Sequence, residues 1–124
     1  MTWGKSPGKE YEEHVERALL RRYPKGKWNL ERQCPILIKG TRSKIDFKLT
    51  NRKSGEEIVV DAKSGTVTVA DLRQLEDYKR SCKASEAIIY TPTPLSWLSD
   101  SIKLRAKKSK IQIQHSAPRD SFWI

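Results

Sequence analysis

Ile45-Asp46-Phe47-Lys48-Leu49, a polar turn, and then Ile58-Val59-Val60-Asp61-Ala62-Lys63 decide how this chain folds. In the first run Ile45, Phe47 and Leu49 alternate with Asp46 and Lys48, the period-two pattern of a strand with one buried face. The second run is short, apolar and β-branched, and Asn51 to Gly55 supplies a hairpin turn between them. The apolar face of the first strand is expected to pack, leaving the Asp46 face for chemistry. Asp61 and Lys63 stand two apart and so share one face of their strand. Paired carboxylates carry enough negative charge to hold a hard divalent cation, which takes oxygen ligands and keeps several waters. A nearby ammonium such as Lys63 suits stabilisation of negative charge at a phosphate, or help in deprotonating a nucleophile. The Asp-x-Lys tripeptide alone has a plainer reading, since a solvated hairpin also carries an outward Asp and Lys.

Working outward, Ser6-Pro7 opens a helix with Ser as cap, its apolar stripe is Tyr11, Val15, Ala18 and Leu19, and Tyr23-Pro24 ends it. Asn29 to Ile38 reads as a strand interrupted or ended near Pro35, which favours an edge or a bulge. Thr68-Val69-Ala70-Asp71 resembles a capping box with Asp in the usual Glu place, opening a helix with Leu72, Leu75, Tyr78 and Cys82 on one face. Glu86 to Tyr90 is a buried strand. Ser96 is expected to cap a helix carrying Trp97, Leu98, Ile102 and Ala106, and Ile111 to Gln114 alternates as a last strand. The order is mixed α/β with no internal repeats, read as one domain over residues 1–124.

The net charge of +10 favours a polyanionic partner, nucleic acid first. No apolar run is long enough to span a membrane, and no segment sets Trp or Leu opposite a Lys face as a membrane-surface helix does. The first residues lack the apolar centre of a secretory signal, so the expected site of action is cytoplasmic. Cys34 and Cys82 are far apart and at no metal-ligand spacing, and read as a free buried pair, with a disulfide left open. His14 and His115 have no ligand partner nearby in sequence.

A helix with Glu, a strand with Asp46, a strand with Asp61-Ala62-Lys63 and then a helix resembles the PD-(D/E)XK, or restriction-endonuclease-like, nucleases over Gly8 to Ile113. That group includes type II restriction enzymes, Holliday-junction resolvases and bacterial toxin domains. The resemblance implies an α/β core with a mixed β-sheet flanked by helices, and metal-dependent endonuclease activity with Mg2+ or Mn2+. It assigns Glu12, after Tyr11 in Gly8-Lys9-Glu10-Tyr11-Glu12, to the first-helix motif, and Asp46 to the metal-binding aspartate, with Ile45 where the family name has Pro. Asp61-Ala62-Lys63 matches the last motif in its Asp form, with the Ala62 carbonyl a further metal ligand. Gln74 is similar to a glutamine that some subfamilies carry close to the metal.

Tyr90 to Ser96 and the Gln74 to Tyr78 run look like restriction-fold toxin domains of bacterial polymorphic and contact-dependent effectors, which implies delivery to a target cell and an acidic immunity protein. For holding substrate, Arg42 and Lys44 lie beside Asp46, and Lys103, Arg105, Lys107, Lys108 and Lys110 form a run in or just after the third helix. Such cations neutralise phosphates without choosing sequence, although the second run is equally a solvated face. DNA is the expected substrate, tRNA the alternative, and a non-catalytic nucleic-acid-binding domain of the same fold a third reading. A homodimer is reasonable for cutting both strands. An immunity or adaptor role fits poorly, because inhibitors of basic nucleases should be acidic.

Overall fold

The chain's structure, a computed structural model, describes residues 7–118. The proposed Ser6 cap, Trp3, Trp123 and the end of the chain at 121–124 lie outside the described residues. The elements run α1 (Pro7–Arg22), β1 (Trp28–Ile38), β2 (Thr41–Asn51), β3 (Glu57–Ala62), α2 (Val69–Cys82), β4 (Glu86–Thr91), α3 (Asp100–Ser109) and β5 (Ile111–His115). The strands form one sheet in chain order, β1-β2-β3-β4-β5. β1, β2 and β3 pair antiparallel, and β3, β4 and β5 pair parallel through crossovers made by α2 and α3. Parallel crossovers are right-handed, so two that add strands in the same direction place their helices on the same face. Leu72, Leu75, Tyr78, Ile102 and Ala106 accordingly share one core with Val59 and Ile89. On the other face α1 seats Tyr11, Val15 and Leu19, an i, i+4, i+8 stripe, against Phe47, Leu49, Ile58 and Val60.

Local chemistry sets the boundaries. Asn51 closes the β2–β3 turn, its side-chain carbonyl accepting from the Lys53 and Ser54 backbone N–H groups at 2.9 Å each, with Gly55 at φ +78°. The capping box forms in both directions, because Asp71 N–H donates to the Thr68 hydroxyl (3.2 Å) while Thr68 N–H donates to the Asp71 carboxylate (2.8 Å). α3 departs from expectation. Leu95–Trp97 is a separate 3-10 turn, Leu98 is extended, and the cap is Ser99, whose hydroxyl accepts from Ile102 N–H. Ser99-Asp100 gives both a cap and an acidic first-turn residue, a better start than Ser96. Trp97 is therefore outside the helix and 70% exposed.

β1 does not stop at Pro35. It is an edge strand, where a missing N–H is tolerated. Its irregularity lies at Gln33, in the left-handed region at φ +51°. Arg32 pairs with Phe47 and Cys34 with Ile45, and the intervening Gln33 and Asp46 are unpaired. Below this point Trp28, Leu30, Phe47 and Leu49 pack on the α1 side; above it Cys34, Ile36, Ile38 and Ile45 pack on the α2 side. The β1–β2 ribbon thus changes sides of the sheet at Gln33 and Asp46. Ile45, Phe47 and Leu49 do not form one buried face, contrary to the simple alternation. The ribbon is free to turn over because β2 pairs with β3 only from Phe47 to Thr50. Cys34 and Cys82 are both free thiols, Cys34 buried, and burial pushes its thiol up to about 11.

Candidate active site

Where the β2–β3 ladder stops, two side chains take over its hydrogen bonds. Asp61 accepts from the Asp46 backbone N–H at 3.4 Å, and Asp46 accepts from the Ala62 N–H at 2.9 Å. The two aspartates face each other just beyond the last paired residues, Phe47 and Val60. Burial raises the Asp61 carboxyl to about 7, helped by the charges of Asp46, Asp71 and Glu12, and opposed by its hydrogen bond from Asp46. Burial also raises Asp46 to about 6, against the Ala62 hydrogen bond, with Glu12 adding repulsion. The pair is short of positive charge. Such strain on a carboxylate pair is a common mark of a functional site.

The structure brings most of the expected set to this place. Glu12 reaches it from α1, close enough for its charge to act on both aspartates, and its carboxylate accepts from the Gln33 side-chain amide at 2.7 Å. Lys63 lies just past β3, with its backbone N–H on the Tyr90 carbonyl and its ammonium 3.6 Å from Asp71. Gln74 is exposed on α2, beside the Tyr78 hydroxyl, which donates to the Lys44 carbonyl at 3.2 Å. Three participants were not singled out from sequence. Gln33 gives no signal in a strand pattern, Asp71 reads only as a cap, and Tyr78 reads only as core.

The cations divide. Arg42 and Lys44 are exposed on the ribbon that leads to Asp46. Lys103 is exposed on α3, whereas Arg105 donates to Glu76 at 2.8 Å, and Glu76 also accepts from Ser109. Lys107 and Lys108 occupy the last turn of α3, just before Ile111, which pairs with Ala87 at the start of β4. Asp61 pairs with Ile89 and Ala62 with Tyr90, toward the other end of β4. Lys107 and Lys108 therefore sit at the opposite end of the sheet from the carboxylates. His14 contacts the Ser116 hydroxyl at 2.8 Å, and His115 contacts the Thr93 carbonyl, so both serve to hold elements together.

Among the described residues no three His, Cys, Asp or Glu side chains converge as a metal cage. The donor set nevertheless fits a hard cation of the Mg2+ type, which commonly takes one or two carboxylates and completes its shell with water and substrate phosphate. Asp46 and Asp61 are oxygen donors whose mutual repulsion such a charge would relieve, and each binds a backbone N–H through one oxygen only.

No family model and no curated protein matches the chain. Solved structures do. A repair endonuclease from Pyrococcus abyssi is similar over 95% of this chain and 50% of that one, at 16% identity and TM-score 0.62. EndoMS in a dsDNA complex is similar over 98% and 49%, at 15% identity and TM-score 0.65. The chain has the restriction-endonuclease-like fold. This restriction-endonuclease-like fold also relates it to Can2 from Sulfobacillus thermosulfidooxidans in complex with cyclic tetra-adenylate, over 86% and 32%, at 14% identity and TM-score 0.65. The chain spans about half the length of the two endonuclease structures, and no described helix is long and apolar enough to cross a membrane.

Proposed function

We propose that the chain is an endonuclease that hydrolyses phosphodiester bonds of DNA with Mg2+ or Mn2+ as cofactor. The observation that carries this reading is the facing, under-neutralised Asp46 and Asp61 pair where β2 and β3 part, with Lys63 two residues after Asp61. Asp46 and Asp61 would hold the cation, with Glu12 and the Ala62 carbonyl as supporting donors. A bound divalent ion supplies Lewis acidity and charge neutralisation at the phosphate. The residues do the rest. The backbone bonds to Asp46 and Asp61 fix one oxygen of each, so their remaining oxygens are aimed without further ordering. Lys63, tethered loosely by Asp71, places an ammonium to assist the nucleophile or to offset charge on the phosphorane-like transition state. Gln74, beside Tyr78 on α2, would flank the site from that helix.

Supercoiled plasmid and total tRNA, each incubated with Mg2+, Mn2+ or EDTA, test the proposal. Metal-dependent nicking of plasmid is expected, lost in Asp61→Ala and Lys63→Ala at unchanged circular dichroism. Undiminished cleavage in both variants would overturn the assignment, and cutting of tRNA alone would make the enzyme a ribonuclease.

A further inference from the structure

Above the Gln33–Asp46 crossing, β1 and β2 continue as a two-stranded ribbon with no third strand beside it. Its turn is Lys39-Gly40, both at positive φ (50° and 81°), the tight connection that keeps a ribbon's twist. One face is committed, since Cys34, Ile36, Ile38 and Ile45 pack toward α2 and the Tyr78 hydroxyl binds the Lys44 carbonyl. The other face carries Pro35, Leu37, Arg42 and Lys44, all exposed, with Leu37 at 65% opposite Arg42. Neither Arg42 nor Lys44 is in an ion pair among the described residues, unlike Arg32, Lys48, Lys63, Arg80 and Arg105. Arg42 and Lys44 share one face of the ribbon, four and two residues short of Asp46, where the ribbon turns over beside the carboxylates.

We infer that the outer face of this ribbon seats in the major groove of B-form double-stranded DNA, with Arg42 and Lys44 on phosphates or base edges and Leu37 on an apolar base edge. The inference rests on the nuclease reading and narrows its substrate. A two-stranded ribbon is among the few elements the B-form major groove, about 12 Å wide, admits, whereas the minor groove is about half that width. The A-form major groove of duplex RNA is too deep and narrow for side chains to read. Asp46 lies four positions along the strand from Arg42, about 13 Å at about 3.3 Å per step, which places the groove contact about four base pairs from the cut.

The test measures binding of the full chain, in EDTA so that nothing is cleaved, to fluorescent duplexes by anisotropy. One duplex is plain DNA, one carries glucosylated 5-hydroxymethylcytosine to block the major groove, one is pre-bound by netropsin in the minor groove, and one is RNA of the same sequence. The expected result is that glucosylation and the RNA duplex each weaken binding by about tenfold or more, while netropsin does not. Arg42→Ala with Lys44→Ala should weaken binding to plain DNA and abolish the effect of glucosylation. Lys107→Ala with Lys108→Ala, an equal loss of charge, should leave that effect intact. Binding indifferent to glucosylation, competed by netropsin, or equal for RNA would overturn the inference even if plasmid is cleaved normally. Major-groove dependence without cleavage of any substrate would uphold it and remove the proposed activity.

Discussion

At the scale of single residues, Asp61 is held far from its ordinary protonation behaviour by burial beside other carboxylates. Its carboxyl ordinarily titrates near 3.8 and is raised to about 7 in the fold, so between those values the folded chain holds a proton that the unfolded chain has lost. That contribution to stability is present below about pH 4 and is lost as pH rises through 7. Asp61→Asn, which still offers an oxygen to the Asp46 N–H, should therefore stabilise the cation-free protein by about 1–3 kcal/mol at pH 8 and by almost nothing at pH 4. Urea titrations at the two pH values measure this, and equal effects at both would place the cost of Asp61 elsewhere than in its charge. By the same linkage, Mg2+ should raise the melting temperature more at pH 8 than at pH 5, because the carboxylates that would bind it are ionised at the higher value. Asp46 and Asp61 were legible because each stands in a run that reads as a strand, and Lys63 because it follows two residues after Asp61 at the end of β3. Asp71 was half legible. The residues that make a capping box can be read from Thr68-Val69-Ala70-Asp71, but that the second oxygen meets Lys63 depends on where β3 ends, which local sequence does not state.

At the scale of elements, the β1–β2 ribbon departs furthest from what its sequence announces. A period-two pattern says which residues share a side of a strand, and it is silent on which side of the sheet that strand occupies. Leu30 and Cys34 are both in β1 with their side chains inward, yet they serve different cores, because the chain turns over at Gln33. No glycine marks the spot, and a lone Gln at positive φ has no sequence signature. The turn-over therefore makes a prediction of its own. Gln33→Gly accepts the same backbone without strain and should stay within about 1 kcal/mol of the parent in stability, while lowering cleavage because Glu12 loses its amide partner. Gln33→Val, β-branched in a left-handed conformation, should cost about 1–3 kcal/mol. Equal urea midpoints for both would show that the backbone there is not constrained. The α3 boundary was misplaced for a simpler reason. Ser96 and Ser99 are both competent cap residue types, but Ser96 falls inside the 3-10 turn, and buried, extended Leu98 separates that turn from the helix Ser99 caps.

At the scale of the whole molecule, positive charge is spread over both ends of the sheet, while Asp46 and Asp61 occupy one. Sequence gave the total of +10 and the basic run after Lys103, and topology separates Lys107 and Lys108 from Asp61. Losing Lys107 and Lys108 should accordingly reduce the salt sensitivity of plasmid cleavage less than losing Arg42 and Lys44. Cleavage rates across a potassium chloride series would reveal a reversed order if the far end holds the substrate. The fold class was readable because crossover helices, strand lengths and turn residues all agreed. The strand order has a kinetic meaning as well. Each strand is laid beside the one made just before it, so the sheet can grow by neighbour addition, across a turn in the first half and a crossover helix in the second. α1 is the exception: it must wait for β2, β3 and β4 to offer a surface, and its Tyr11 and His14 finally reach Ser116, more than a hundred residues along the chain. Asp46 and Asp61, fifteen positions apart across a hairpin, can meet early. Glu12 rides between Tyr11 and His14, so its charge joins those of the aspartates only when α1 docks, and a chain caught half-folded would hold its aspartates without their third neighbour.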